Sequence, residues 1–323
     1  MEKNSNASRK IVVFFVLCSL LFVSFFIWQG IYTSKDVNSS EEKLFSIEKG
    51  QGLFQIAENL EKQGLIKSRF LFDFYVISKK KQSNLQAGQY LLSSSMNIPQ
   101  VAQKIIFGDT VKIKITIPEG FTVKQIEERL NLKLPEDKLE GFLFPDTYQF
   151  PIEVSGEEAV RIMKDNFDKK LTSELREEIE KQNKTIFEII VIASMIEKEV
   201  KTVEDKKLVS GILWKRLESK MPLQIDATIT YITGKKTTKI SLEELKIDSP
   251  YNTYKYLGLP VGPICNPGLD SILAAIYPKD SGYWYYLSAS AAKGGEPRLN
   301  GRDGETIFSK TLEEHRINKE KYL

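Results

Sequence analysis

Two cysteines and one histidine are all that the 323 residues hold of those side chains. Cys18 lies in an apolar N-terminal run and Cys265 far beyond it. No disulfide framework, zinc cluster or Cys–His nucleophile pair can be assembled from so few groups. Charge of one sign is also scarce. Lys and Arg number 46 against 43 Asp and Glu, a net +3, an ordinary balance in which nothing points to a nucleic-acid binder. Glycine-rich phosphate loops are absent, so no metal and no cofactor is expected. Catalysis must therefore rest on carboxylates, hydroxyls, amides or lysines. The length is ample for more than one core.

The one long apolar run is at the N-terminus. Residues 1–10 form a polar tail with Lys3, Arg9 and Lys10. Ile11 to Trp28 carries no charge, and continued through Tyr32 it is long enough to cross a membrane. A cleaved signal peptide would have a shorter apolar core and a small-x-small site after it. Trp28-Gln29-Gly30-Ile31-Tyr32 offers none. The basic flank precedes the run, so the tail is expected in the cytoplasm, residues 11–32 in the cell (inner) membrane as a single pass, and the bulk outside. Residues 33–43 read as a linker.

Residues 44–135 contain an internal repeat. Ile47-Glu48-Lys49-Gly50 with Gln55-Ile56-Ala57-Glu58-Asn59-Leu60 recurs as Ile117-Pro118-Glu119-Gly120 with Gln125-Ile126-Glu127-Glu128-Arg129-Leu130. Each copy predicts a strand, a glycine turn and a short amphipathic helix. The pattern resembles a LysM-type glycan-binding module, and a plain α+β spacer fits it equally well. Helices are expected over Phe70–Lys79 and Val101–Phe107, and strands over Gln89–Leu92 and Val111–Ile117. Lys79-Lys80-Lys81 reads as a solvated loop.

Residues 136–323 form a second, larger α+β region. Glu140 to Phe150 is dense in aromatics and turn formers. A charged helix from Glu157 to Lys181 is expected to break near Leu171–Ser173. Helices follow over 186–201 and 203–218, then a short extended piece at Thr237–Ile240. Gly258 to Gly268 is a Gly/Pro/Asn-rich loop that must hold a defined path. Ser271–Tyr277 reads as a helix and Tyr283–Ser288 as a strand, whose aromatics suit core packing or sugar stacking. A loop at Gly294–Gly304 and a closing helix over Thr306–Asn318 complete the chain.

The most apolar stretch of this region, Ile186 to Glu199, ends in two carboxylates. At 100° per residue Glu197 falls on the face of Ile186, Ile190 and Ala193, and Glu199 falls opposite, with Glu188, Ile192 and Met195. A carboxyl among aliphatic side chains resists ionisation, as a general acid near neutral pH requires. This spacing points to Glu197 and predicts that loss of Glu199 is far milder. Lys201, four residues on, would oppose that property if it reached Glu197. Glu197 can equally be the first polar residue past a buried helix.

Six stretches in order resemble the YceG-like family of endolytic murein transglycosylases. They are EGFLFPDTY at Glu140–Tyr148, ASMIEKE at Ala193–Glu199, LQIDATITY at Leu223–Tyr231, SPYNTY at Ser249–Tyr254, GLPVGPICNPG at Gly258–Gly268 and FSKTLEEH at Phe308–His315. The resemblance covers nearly the whole chain. It implies a catalytic acid at the first Glu of the EKE triplet, Glu197, and a substrate cleft holding Gln224, Asp226, Asn252, Thr253, Tyr254 and Asn266. Relatives often carry a histidine just before the phenylalanine of the last motif, where this chain reads Gly304-Glu305-Thr306-Ile307-Phe308.

The implied substrate is the peptidoglycan glycan strand, with peptidoglycan synthases as partners and no nucleic acid. One carboxyl suffices for such chemistry. It protonates the bridging oxygen between N-acetylmuramyl and N-acetylglucosaminyl units, then takes the proton from the muramyl C6 hydroxyl, which closes a 1,6-anhydro ring. A hydrolase would need a second carboxylate, and Asp226 is the candidate. Two other classes compete. A non-enzymatic cell-wall-binding or division scaffold would need no acid, and a pyridoxal-phosphate lyase would need a Schiff-base lysine and a phosphate cup.

Overall fold

The computed structural model describes residues 2–135, 138–235, 240–288 and 306–322. The expected extended piece at 237–240, apart from its last residue, the 294–304 loop and the Glu305 position lie outside them. The chain is mixed α+β and divides into two compact units, residues 1–114 with 149–154, and residues 115–148 with 155–323.

The first unit begins with α1 (Glu2–Tyr32). Within it, Val12–Tyr32 is long and apolar enough to cross a membrane. Then come β1 (Glu42–Ile47), α2 (Leu53–Lys62), α3 (Arg69–Ser78), β2 (Gly88–Ser93) and α4 (Ile98–Phe107). β1 and β2 pair antiparallel with Phe45 opposite Tyr90. These two rings meet Ile56, Leu60, Phe72, Val101 and Ile105 in one buried cluster. The start of α4 is set by side chains. Asn97 and Gln100 close a reciprocal cap on α4, and Gly108 in left-handed conformation ends it.

β3 (Lys112–Thr116) and β4 (Thr147–Pro151) form a two-stranded sheet, and each strand crosses the boundary between the units. Between them lies α5 (Val123–Leu130), capped by Thr122 and Gln125. Both copies of the repeat thus form strand, glycine turn and helix, with Gly50 and Gly120 at positive φ. The first copy lies in the first unit, while in the second all but the start of β3 lies in the second unit.

The second unit continues with α6 (Gly156–Lys170), α7 (Ser173–Lys181), α8 (Ile186–Glu199), α9 (Val203–Glu218), α10 (Asp226–Thr233) and α11 (Leu269–Ile276). The break between α6 and α7 falls where the sequence placed it. α8 is the axis of this unit. Thr185 and Glu188 cap its start reciprocally. α7, α9, α10 and α11 pack around it. Ile189 through Ile196 are all buried, and each large aliphatic among them contributes roughly 1.5–3 kcal/mol. Buried Ser194 anchors the Gly/Pro-rich loop, accepting from Ile264 N–H at 3.1 Å while its carbonyl accepts from the Cys265 thiol.

The chain closes with β5 (Tyr285–Ser288), β6 (Thr306–Ser309) and α12 (Leu312–Tyr322). Thr306–Ser309 corrects the expected single closing helix. Thr-Ile-Phe-Ser is β-branched and aromatic, and it pairs antiparallel with Tyr285–Ser288. The lone histidine, His315, stacks on Tyr285 at 5.2 Å.

Gly141 is required by both conformation and space. Its φ is +89°, and a Cβ there would lie 2.6 Å from Pro263 Cγ and 2.7 Å from Ile190 Cγ2. Gly141→Ala is expected to lower unfolding free energy by about 2 kcal/mol or more; a urea midpoint equal to wild type at unchanged slope would contradict this.

Candidate active site

With α8 buried on every side, the periodicity that distinguished Glu197 from Glu199 has no exposed face to act against. The two acids differ instead in what surrounds the end of the helix. Glu197 Oε2 receives Lys206 Nζ at 3.3 Å, Ser271 Oγ at 2.6 Å and Gly268 N–H at 3.1 Å. Only 6% of the Lys206 side chain and 10% of the Glu197 side chain are exposed. The pair ties α8 to α9 and α11. Glu119 lies beside it, its carboxyl raised by burial and then by the Glu197 charge. A Cβ on Gly268 would meet Glu119 Oε1 at 2.1 Å, so glycine is what lets this layer close.

The cation at Glu197 is therefore Lys206, not Lys201. Val200 is extended, with φ −142° and ψ 154°, so the helix ends before Lys201 can occupy the next turn.

Glu199 faces a different group. Burial, then the charge of Asp226, raises its carboxyl to about 7, against the Ala227 N–H and the Tyr286 hydroxyl that hydrogen-bond to it. Tyr286 is itself held well above the usual tyrosine range by burial, so its hydroxyl stays a donor. Tyr254 donates to Asp226. Arg216 braces the far side. Its Nε donates to Trp284 O at 2.9 Å, its Nη1 donates to Leu223 O at 2.9 Å, and its guanidinium lies over Tyr285.

The six sequence-chosen binding residues divide accordingly. Asp226 and Tyr254 come to Glu199, on α10 and the loop that faces it. Gln224 is exposed two residues away, with left-handed φ of 56°, a conformation that non-glycine residues hold only where the surroundings impose it. Asn252, Thr253 and Asn266 are buried. Asn252 donates to Leu245 O and Ile247 O and accepts from Tyr254 N–H. Thr253 Oγ1 accepts from Ile225 N–H at 2.9 Å. Asn266 donates to Phe121 O and accepts from Leu143 N–H at 2.8 Å. These three hold the loops that carry Asp226, Tyr254 and Glu140.

Glu140 was not singled out by sequence. Asn266 Nδ2 reaches its Oε1 at 3.1 Å, Val123 N–H lies at 3.1 Å, and Tyr231 Oη is 3.5 Å from Oε2. Burial raises its carboxyl to about 7 despite these donors. The available signal was an acid placed directly before the strained Gly141. Tyr286 and Arg216 were also missed; Tyr286 sat inside an aromatic strand that suits core packing.

Two surface cavities of about 380 and 360 Å³ are lined by other residues, one by Gln100, Lys104 and Phe107, the other by Phe142, Phe167 and Arg176. Among the described residues no three His, Cys, Asp or Glu side chains gather to hold a metal ion.

The fold and site define an α+β protein with an apolar N-terminal helix and a carboxylate-based centre. The chain belongs to the YceG-like family, whose sequence profile matches residues 45–321. It is 32% identical over 319 residues to an endolytic murein transglycosylase of Bacillus subtilis (strain 168), covering 86% of this chain and 84% of that one. It is 29% identical to an endolytic murein transglycosylase of Streptococcus pneumoniae serotype 2 (strain D39), covering 97% of this chain and 65% of that one. The crystal structure of a YceG-like protein from Listeria monocytogenes superposes with a TM-score of 0.55 at 33% identity, covering 86% of this chain and 99% of that one.

Glu140 and Glu199 make stability pH-dependent. Both hold protons in the folded state that an unfolded carboxyl, ordinary value 4.5, releases earlier. The folded state therefore binds more protons between about 4.5 and about 7, and unfolding free energy falls as pH rises through that window. Urea denaturation is expected to show a loss on the order of 2 kcal/mol per acid from pH 5 to 8, so the total is roughly halved in Glu140→Gln. A flat wild-type profile would exclude the raised carboxyls.

Proposed function

We propose that the chain is an endolytic murein transglycosylase that cleaves the bond between N-acetylmuramyl and N-acetylglucosaminyl units inside peptidoglycan strands, leaving 1,6-anhydro ends and ending strand elongation. Support comes from family membership and from relatives of that name along most of the chain. α1 serves as the membrane anchor, with the N-terminus cytoplasmic and the catalytic unit outside. Residues 44–135 are read as a LysM-like glycan-binding region, and synthases of the same strands are the enzyme's natural partners. A scaffold without chemistry has no use for a carboxyl poised near neutrality.

The observation that carries the mechanism is the environment of Glu199. We assign it, rather than Glu197, as the acid. A carboxyl raised to about 7 is about half protonated at pH 7, the best compromise between donating to the glycosidic oxygen and afterwards accepting from the C6 hydroxyl. Burial and Asp226 hold the proton on; Tyr286 and Ala227 steady the carboxylate once it has left. Gln224, Asp226 and Tyr254 stand where the glycan would pass. Asn252, Thr253 and Asn266 hold the loops behind them. Glu197, tied to Lys206, locks three helices.

Asp226 beside Glu199 also supports a second reading, hydrolysis through paired carboxylates. Mass spectrometry of digested glycan strands separates the two, because a hydrolytic end is heavier than an anhydro end by one water. Products of either kind from within intact strands exclude the scaffold.

Glu199→Gln is expected to lower turnover at least about 100-fold with no loss of stability at pH 7, since the isostere keeps volume and removes a carboxyl whose ionisation burial opposes. Glu197→Gln is expected to lower unfolding free energy by roughly 2–4 kcal/mol, because buried Lys206 loses its counter-charge, while folded molecules still cleave. The opposite pattern, measured as turnover per folded molecule, would return the role to Glu197. Turnover of the wild type should fall as pH rises above about 7 and Glu199 loses its proton; a profile that keeps rising to pH 9 would refute the assignment.

A further inference from the structure

We propose that the outer face of α3 is a membrane-interfacial surface, seated on the anionic headgroup layer of the same bilayer that α1 crosses; this rests on reading α1 as the anchor. α3 carries two apolar faces. Phe72 and Val76 are buried, and Leu71 and Tyr75 pack against the same cluster. Phe70, Phe74 and Ile77 form a second stripe at helical spacing, and they are 70%, 56% and 48% exposed. Such a stripe, on a helix of ten residues, marks a partner surface.

The position of α3 says which partner. Leu71 lies so close to Gly30 that a Cβ on that glycine would come within 2.4 Å of Leu71 Cδ1. Ile31 is buried in the cluster that holds Phe72, and Ile27 packs against it. These residues are the last turns of the span Val12–Tyr32. α3 therefore meets the span inside its final turns, at the depth where hydrocarbon gives way to headgroups. Trp28 and Tyr32, with ring centroids 5.6 Å apart, lie at the same level, as interfacial aromatics do.

Charge completes the match. Lys67 Nζ donates to Thr33 Oγ1 at 2.7 Å, one residue past the span. The Arg69 guanidinium lies 4.9 Å over the Phe70 ring. Lys79, Lys80 and Lys81, all exposed, follow the stripe directly. Asp73 is the acid of this helix, and it is only partly exposed. Phenylalanine and isoleucine flanked by lysine and arginine on a short helix enter the headgroup boundary and pair with anionic lipid. Lys79-Lys80-Lys81, assigned to solvent by sequence, gains phosphate partners in this arrangement.

The test uses the full chain in nanodiscs of phosphatidylglycerol and phosphatidylethanolamine. An environment-sensitive fluorophore is placed at Ile77→Cys in a Cys18→Ser background, and separately at the native Cys18; Cys265 is buried. The probe at position 77 is expected to emit to the blue, to be quenched several-fold more by a lipid spin label near the headgroup than by aqueous iodide, and to return to iodide-accessible emission when Phe70→Ser and Phe74→Ser are added. A position-77 probe open to iodide and blind to the lipid quencher, while the Cys18 probe is quenched by a deep spin label, overturns the α3 surface alone. A Cys18 probe open to iodide overturns the anchor as well.

Discussion

The burial of α8 over eight consecutive residues, Ile189 to Ile196, governs the second unit. A helix packed on all sides has only its ends free to do chemistry, and this one ends on two acids. Four helices converge on it, so the side chains leaving its last turn are received by groups from several different elements. Glu197 is received by a lysine, a hydroxyl and an amide. Glu199 is received by an aspartate and a tyrosine hydroxyl. Two identical side chains, two residues apart, thus become a charge-paired tie between helices and a carboxyl raised to about 7, the one proposed above as the acid. The difference is made entirely by neighbours that are remote in sequence.

The helix terminus adds to this. Carboxylates are favoured at the start of a helix and disfavoured at its end, where the backbone dipole presents its negative pole. Glu199 is the last residue of α8, and its own carbonyl accepts a hydrogen bond from Ser288. The acid stands at the end of the helix that favours keeping its proton, in the same direction as burial and Asp226. Arg216, which braces Tyr285 and the Trp284 backbone, gives its hydrogen bonds to the carbonyls of Trp284 and Leu223.

Much of this was legible in sequence. The break at Leu171–Thr172, the strand–glycine–helix repeat and the apolar N-terminal helix follow from local periodicity and turn formers. The motifs pointed to Glu197 in Ala193–Glu199 and to Asp226 and Tyr254; the structure brings the last two to Glu199. What sequence could not show is which acid meets which neighbour. A hydrophobic face identifies a functional residue only when the helix has another face, and eight consecutive buried residues from Ile189 to Ile196 remove it. Lys201 looked like the counter-ion because it follows four residues on, yet extended Val200 removes it from the helix. Asn252, Thr253 and Asn266 share residue types with binding groups, and only their long-range backbone partners show that they hold loops in place. The closing strand at Thr306–Ser309 was hidden because its partner, Tyr285–Ser288, is remote along the chain.

Since α8 is fixed by its cap at Thr185 and by packing from Ile189 to Ile196, its residue count sets the azimuth of its last side chain. Each residue added or removed between cap and terminus would swing that carboxyl by about 100° around the axis. A single insertion would carry it out of the Asp226 and Tyr286 sector with no change of composition. In this architecture the helix works as a ruler, and the measure it keeps is an angle.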